Sequence, residues 1–319
     1  METRLINISK KEHAEKGIIL DLYLDYLNNS FIGGNKWRKL KFNLKEARFL
    51  GKDMLISFGG AYSNHLYAFA NACKWYGFKG IAIVRGDKMD EKNPTLNYLV
   101  QNDIEIQFVN RDEYRDKETL ASKFLESYPN AFIIPEGGTN QLAVYGFEEL
   151  VSEIVNLMNS YDVIVCPVGT GGTLAGISTY NTGGKTMGIK IVDDDSILEK
   201  IKKLGAPAAI EIIDDYTMGG YAKTTETLIE FINNFYNQFH IPLDPIYTGK
   251  MVYAIDDMID KNFFKEGSKI VMIHTGGLQG ILGYASKKRK YELLENLVAE
   301  AKLICAKAAN DAGVLENLV

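Results

Sequence analysis

The sequence predicts an α/β protein of two doubly wound lobes with largely parallel sheets and a cleft between them. Short apolar, β-branched segments alternate with longer amphipathic segments along most of the 319 residues, as in parallel α/β folds. Glycine clusters follow several of the apolar segments, at the sheet edge where such folds bind ligands. No linker rich in Pro, Gly or Ser interrupts the chain, so we expect the lobes to pack closely.

The first series of predicted strands covers 53–60, 80–86, 104–110 and 131–138. Their apolar runs are typical of strands buried on both faces of a sheet. Helical patterns lie between them at 63–77 and 93–103, and the first opens on Ser63 and Asn64, which are favoured helix caps. This order predicts one doubly wound lobe.

A second series of predicted strands covers 161–169, 187–194, 209–215 and 269–277, of which 209–215 is the weakest. From about residue 286 the chain becomes rich in Ala and Leu, with Leu294, Leu297, Val298 and Ala301 at helical spacing. We expect one or two added helices there, packed on their own subunit or on a partner.

Composition excludes several classes of function. The formal charge of -5 is spread along the chain, so no basic stripe is available for nucleic acid. Three widely spaced cysteines, Cys73, Cys166 and Cys305, suit neither a disulfide framework nor a zinc site. No run approaches the roughly 18 apolar residues of a membrane span or the core of a signal peptide. We therefore expect a cytoplasmic protein with no metal and no membrane partner.

The glycine clusters predict a ligand site at the strand ends. They are Gly59-Gly60, Gly137-Gly138, the run 169–173 and Gly276-Gly277. In the run 169–173 a strand leads into a helix predicted to start near Gly172, which presents backbone N–H groups and two hydroxyls to one anion. This predicts a phosphate site; the alternative is a tight turn without a ligand.

A dinucleotide is the rival phosphate ligand, since Asp193 to Asp195 follow about 20 residues later, where a ribose-binding acid would lie. The G-x-G-x-x-G fingerprint, however, needs glycine at 174, where the sequence has Leu174. The pattern therefore disfavours a nicotinamide dehydrogenase.

The segment 31–47 suggests a reactive lysine. Lys36 follows Gly33, Gly34 and Asn35 at the start of a predicted helix, and further cations follow at Arg38, Lys39 and Lys41. Neighbouring cations and a helix amino terminus disfavour the protonated form of a lysine, which suits an amine that forms a Schiff base. A solvated basic helix face is the alternative.

Five motifs in one order give these segments a family resemblance. They are G-G-N-K-x-R-K-L at 33–40, F-G-G-A-Y-S-N-H at 58–65, the Gly/Thr loop at 169–173, Y-T-G-K at 247–250 and H-T-G-G at 274–277. Over residues 19–285 the chain resembles the family of 1-aminocyclopropane-1-carboxylate (ACC) deaminase and D-cysteine desulfhydrase. These are tryptophan-synthase-β-like, fold-type II pyridoxal-phosphate enzymes.

The resemblance implies roles for individual residues. Lys36 would bind pyridoxal 5′-phosphate as a Schiff base and later act as the base at the substrate Cα. Asn64 would contact the cofactor's phenolic oxygen, Ser63 the substrate carboxylate, Tyr247 the cofactor and Tyr221 the substrate. The phosphate would be held by Gly169, Thr170, Gly171, Gly172 and Thr173.

Two further positions bear on the reaction. By the resemblance, ring-opening deaminases carry glutamate and leucine where this chain has Thr248 and Thr275, of which Thr275 is expected to bind the cofactor. A threonine hydroxyl near the pyridine nitrogen would give a weaker electron sink than a carboxylate, which suits loss of a good leaving group. Tyr62 replaces the glutamine common in the family, which leaves the identity of the substrate open.

The sequence therefore favours D-cysteine desulfhydrase. ACC deaminase, another pyridoxal-phosphate-dependent dehydratase or racemase, and a non-catalytic ligand-binding protein remain alternatives. We expect a larger cofactor-binding lobe from 1–48 and 146–285, a smaller lobe from 49–145 and a helical extension from 286–319. We also expect a small amino-acid substrate and assembly as a homodimer.

Overall fold

The structure is a computed structural model that describes residues 4–29, 32–207, 209–287 and 291–310. Its strands are β1 Leu5–Asn7, β2 Ile19–Leu24, β3 Met54–Gly60, β4 Lys79–Arg85, β5 Ile104–Val109, β6 Ala131–Ile134, β7 Val163–Val168, β8 Lys185–Lys190, β9 Ile210–Ile213 and β10 Lys269–His274. Its α-helices are α1 Lys11–Glu15, α2 Gly34–Phe49, α3 Asn64–Tyr76, α4 Pro94–Gln101, α5 Lys117–Ser127, α6 Gln141–Tyr145, α7 Glu148–Met158, α8 Gly172–Tyr180, α9 Ile197–Lys203, α10 Glu226–Phe239, α11 Thr248–Asp260, α12 Gln279–Ala285 and α13 Glu295–Asn310.

The strands form two sheets. One has six strands in the order β1-β2-β10-β7-β8-β9, and only β1 runs antiparallel to its neighbour. The other has four parallel strands in the order β5-β4-β3-β6. The predicted α/β class with largely parallel sheets is confirmed. The lobe boundaries themselves stay predictions.

Both sheets are covered by helices on both faces, which explains their apolar strands. Strand β7 is buried at every position. One face of the six-stranded sheet packs against α10 and α11, and the other packs against α7 and α8. The four-stranded sheet packs against α2, α3 and α4 on one face and against α5 on the other. The carboxyl ends of the parallel strands are therefore left to form the site.

Helix α2 joins the two sheets. At its start, the Asn35 amide donates to the Thr275 carbonyl at 3.1 Å. Gly34 has φ 58°, and a Cβ there would lie 2.1 Å from the same oxygen, so only glycine fits. Farther along, the buried Arg38 pairs with Asp25 at 2.8 Å, while Leu44 packs in the core of the four-stranded sheet. The helix is thus fixed to both halves of the molecule.

Helix α13 occupies part of the predicted extension. Leu297 and Ala301 are buried in the core that includes α10 and α11. Nearer its end, the Cys305 thiol hydrogen-bonds Tyr67 of α3, beside the four-stranded sheet. Residues 288–290 and 311–319 of the extension lie outside the described residues. Among the described helices, none has the length and apolar character that a membrane span needs.

Candidate active site

A cavity of about 660 Å³ lies where the carboxyl ends of strands from both sheets meet. Gly60 is the last residue of β3, and Pro135, Gly169 and Thr275 directly follow β6, β7 and β10. This is where parallel sheets bind ligands. The predicted site residues in its lining are Lys36, Ser63, Asn64, Gly169, Thr170, Gly171, Thr173, Tyr221, Tyr247 and Thr275.

Lys36 enters the cavity from the first turn of α2. Its Nζ donates to the Asn35 side chain at 3.0 Å. Burial lowers the pKa of Lys36 to about 8, and the negative charge of Asp244 partly opposes this shift. Of the two causes expected from the sequence, the helix amino terminus and the neighbouring cations, the cations contribute less, because Arg38 pairs with Asp25 and Lys41 with Glu149. Desolvation is therefore the main reason that a neutral, nucleophilic amine is accessible.

The Gly/Thr loop forms part of the wall of the same cavity, and α8 begins at Gly172 as predicted. Gly171 has φ 85°, and a Cβ there would lie 2.7 Å from Ile201, so the turn requires glycine. The Thr170 hydroxyl hydrogen-bonds the Thr139 hydroxyl at 2.6 Å. A turn that leads into a helix amino terminus presents unpaired N–H groups, which is the arrangement that binds phosphate.

Lys39 is a site residue that the sequence reasoning did not single out. Its buried Nζ contacts the Thr139 hydroxyl at 3.2 Å, the Gly137 carbonyl at 3.3 Å and the Thr170 hydroxyl at 3.5 Å. Burial and the neighbouring Lys36 hold its pKa well below the usual value. Lys39 follows Lys36 by three residues, so the two side chains lie on one face of the helix. This spacing could have identified Lys39 as a site residue from the sequence.

The amino terminus of α3 forms another wall. The Ser63 hydroxyl caps the helix by accepting from the Leu66 amide at 3.2 Å. The Asn64 side chain donates weakly to the Gly277 carbonyl at 3.5 Å and accepts from the Gln279 side chain. Ser63 is thus a helix cap, and both residues also line the cavity.

Two tyrosines complete the lining. The rings of Tyr221 and Tyr247 meet edge to face with centroids 6.2 Å apart. Burial, together with a hydrogen bond to Tyr221, raises the pKa of Tyr247 well above its usual value. Both phenols are therefore neutral proton donors at physiological pH.

The loop that carries Tyr221 is anchored by a buried lysine. Lys250 donates from Nζ to the Thr217 carbonyl at 2.8 Å and to the Gly220 carbonyl at 2.9 Å. Burial lowers the pKa of Lys250 to about 8. Met218 and Ala222 have φ of 52° and 57°, a left-handed conformation that side chains disfavour. The two hydrogen bonds hold this strained loop in place.

Comparison with known proteins identifies the family. The family model for pyridoxal-phosphate dependent enzymes matches residues 2–276. The chain belongs to this family. It is 31% identical over 303 residues to a Pyrococcus horikoshii protein provisionally named ACC deaminase, covering 89% of this chain and 90% of that protein.

Two further relatives carry similar names. The enzyme is 31% identical over 280 residues to an Arabidopsis thaliana protein named bifunctional D-cysteine desulfhydrase/ACC deaminase, covering 78% of this chain and 70% of that one. A crystal structure of an ACC deaminase homologue superposes with a TM-score of 0.76 at 29% identity, over 88% of this chain and 90% of that chain.

The residues of this pyridoxal-phosphate enzyme fit its cofactor. Lys36 offers an amine of lowered pKa to an aldehyde, and the Gly/Thr loop offers backbone donors to a phosphate. Among the described lining residues, basic side chains outnumber carboxylates by six to two, which favours an anionic ligand. The basic residues are Lys36 and Lys39, whose pKa values are lowered, with Arg85, Lys117, Lys200 and Lys203, and the acids are Glu136 and Asp194.

The two threonines that bear on the reaction have different surroundings. Thr275 lines the cavity. Thr248 is fully buried outside the lining, and its hydroxyl donates to Asp244 at 2.6 Å. Asp244 also accepts from the Tyr247 amide at 2.8 Å, so it orders the start of α11. The sequence reasoning missed Asp244 because nothing in its local sequence indicates these contacts.

Tyr62, which replaces the glutamine common in the family, lies outside this cavity. It lines a neighbouring cavity rather than the one that contains Lys36. The Lys287 ammonium lies 3.8 Å from the centre of its ring. Among the described residues, no cluster of three His, Cys, Asp or Glu side chains is arranged to hold a metal ion.

Proposed function

We propose that this enzyme is a lyase that removes the β-substituent of a small amino acid, with D-cysteine as the preferred substrate. The buried amine of Lys36, with a pKa of about 8, carries the proposal because it can accept a proton near neutral pH. The preference for D-cysteine is supported by Thr275, a neutral hydroxyl in the lining at the position where the resemblance gives leucine in ring-opening deaminases.

Each side chain of the cavity has a separate role in the proposed reaction. Bound pyridoxal phosphate supplies the electron sink for charge that develops at the substrate Cα. Lys36 accepts the Cα proton, and Ser63 with the first turn of α3 binds the substrate carboxylate. We assign to Tyr221 and Tyr247, which line the cavity side by side, the role of donating a hydrogen bond to the departing group. The Cα–H and Cβ–S bonds break, and D-cysteine and water yield pyruvate, sulfide and ammonia.

The decisive experiment measures the products from D-cysteine. We expect pyruvate and sulfide in equal amounts from the wild-type enzyme and a loss of at least about 10³-fold in the Lys36→Ala variant, because the base is removed. Lys41→Ala is the matched control, since Lys41 lies on the same helix but pairs with Glu149. Pyruvate production that survives in Lys36→Ala would contradict the proposal.

ACC deaminase is the second candidate, favoured by the names of the relatives. The same assay with the cyclopropane acid separates the two, because ring opening yields 2-oxobutanoate rather than pyruvate. Turnover of the cyclopropane acid alone would reverse the assignment.

We also propose a cytoplasmic location, supported by three free cysteines, of which Cys73 and Cys166 are buried. A homodimer stays a prediction, which light scattering of the purified enzyme tests directly.

A further inference from the structure

A second cavity, of about 580 Å³, adjoins the one that contains Lys36. The two share Gly60, Arg85 and Tyr221 in their linings, so they meet at the end of β3. Tyr221 is one of the residues placed near the substrate by the proposed function. A substituent on that substrate can therefore extend past Tyr221 into the second cavity.

Positive charge dominates the second cavity. Arg85, Arg111 and Lys287 line it, against the single carboxylate of Asp87. The Arg85 guanidinium lies over the junction, with Nη2 at 3.7 Å from the position that a Cβ on Gly60 would take. Within the described residues, neither arginine has a carboxylate within 4 Å. Their charges therefore remain available to a ligand.

An aromatic ring sets one side of the same cavity. Tyr62 packs against α12, where a Cβ on Gly283 would lie 2.9 Å from the ring. The Lys287 ammonium lies over the ring at 3.8 Å from its centre, within the range of a cation–π contact. The contact keeps Lys287 at the cavity. Tyrosine at position 62 thus helps to place a cation where a glutamine would not.

We propose that the second cavity receives the side chain of the substrate and that its cations select an anionic one, such as a carboxylate, sulfonate or phosphate. This inference rests on the proposed function and extends its substrate class beyond D-cysteine, whose short side chain does not reach the second cavity, to amino acids with a longer, anionic β-substituent. Arg85 and Arg111 are exposed, so solvent screens them and each contributes only a modest part of the selectivity.

The test compares two substrates that release the same products apart from the leaving group. O-Phosphoserine and water give pyruvate, ammonia and phosphate, whereas O-acetylserine and water give pyruvate, ammonia and acetate. Both enantiomers of each are assayed for pyruvate. The measured quantity is kcat/KM of a variant divided by that of the wild type, because this ratio cancels the intrinsic difference between the leaving groups.

We expect Arg111→Gln to lower kcat/KM for O-phosphoserine by about 3- to 5-fold and to leave O-acetylserine within about twofold. Adding Lys287→Gln should bring the loss to about tenfold. Arg115→Gln is the matched control, since Arg115 is exposed, pairs with Asp112 and lines neither cavity. Raising the salt concentration should reduce the wild-type rate with O-phosphoserine more than that with O-acetylserine.

Equal losses for both substrates, or none for O-phosphoserine, would overturn the inference. If pyruvate still forms from D-cysteine or O-acetylserine in that case, the proposed function stands and only the substrate class is wrong. No pyruvate from any of these compounds would refute the proposed function itself.

Discussion

Lys39 and Lys250 are both buried lysines that serve the active site, yet their surroundings differ. Lys39 lies on the cavity wall with oxygen partners at 3.2 to 3.5 Å. Lys250 lies outside the lining, with two carbonyl partners at 2.8 and 2.9 Å. One ammonium group has weak partners, and the other has strong ones.

This difference indicates where each charge acts. A buried cation is costly unless it is paired or well hydrogen-bonded. Lys250 is well hydrogen-bonded within the protein, because it donates to the backbone of the loop that carries Tyr221. Lys39 is poorly hydrogen-bonded, which is why its pKa lies well below the usual value, and an anion such as the cofactor phosphate would stabilise its protonated form. We therefore expect Lys39 to act on cofactor binding and Lys250 on substrate turnover.

The largest expected effect is on cofactor affinity. Lys39→Met should weaken binding of pyridoxal phosphate by about 10²-fold, since it removes a buried charge from the anion site. Absorbance titration of the apoenzyme measures the Kd. Lys45→Met serves as the control, because Lys45 lies on the same helix but is exposed beside Phe42. An unchanged Kd in Lys39→Met would remove the distinction between the two lysines.

A third lysine, Lys36, should make the attachment of the cofactor depend on pH. Only the neutral amine attacks an aldehyde, and the pKa of Lys36 is lowered to about 8. The attachment rate of the apoenzyme should therefore rise about tenfold from pH 7 to pH 9 and then level off. Stopped-flow absorbance follows this rate. A rate that keeps rising beyond pH 10 would show that Lys36 titrates like an exposed lysine.

The smallest expected effect concerns Lys250. Lys250→Met should lower the free energy of unfolding by about 2 kcal/mol, because two carbonyls lose their partners. It should reduce kcat/KM about fivefold through Tyr221 while leaving the Kd for the cofactor within about twofold. Urea unfolding and steady-state kinetics measure these changes.

Lys261→Met is the control for Lys250→Met, since Lys261 follows the same helix but is exposed and pairs with Asp257. If Lys250→Met weakens cofactor binding as much as Lys39→Met does, the proposed division between the two lysines is wrong.

Much of the fold could be predicted because buried parallel strands have continuous apolar sequences, as β7 shows. Strand β2 was missed because its sequence, ILDLYL, includes Asp21 and stands outside the repeating order of strands and helices. Strand β1 has only three residues. The predicted strand 131–138 ends early, at Ile134, because Pro135 follows and cannot donate to the ladder.

Parts of the site that consist of one continuous segment, such as the Gly/Thr loop, could be predicted from the sequence. Contacts between residues that are far apart in the sequence could not be predicted. Lys250 reaches carbonyls 30 and 33 residues away, and Lys39 reaches Thr139 from 100 residues away. Sequence indicated a group of cations near Lys36, but only packing decided that Lys39 faces the cavity and that Arg38 pairs with Asp25.

The pairing of β2 with β10 has a consequence for biosynthesis. Ile19 lies opposite Lys269, so the six-stranded sheet cannot close until β10, 250 residues farther along, has left the ribosome. The four-stranded sheet uses only strands between Met54 and Ile134, and it can assemble while translation continues. Strand β2 therefore remains without its β10 partner until late in synthesis, and unpaired strand edges of this kind favour aggregation of the growing polypeptide.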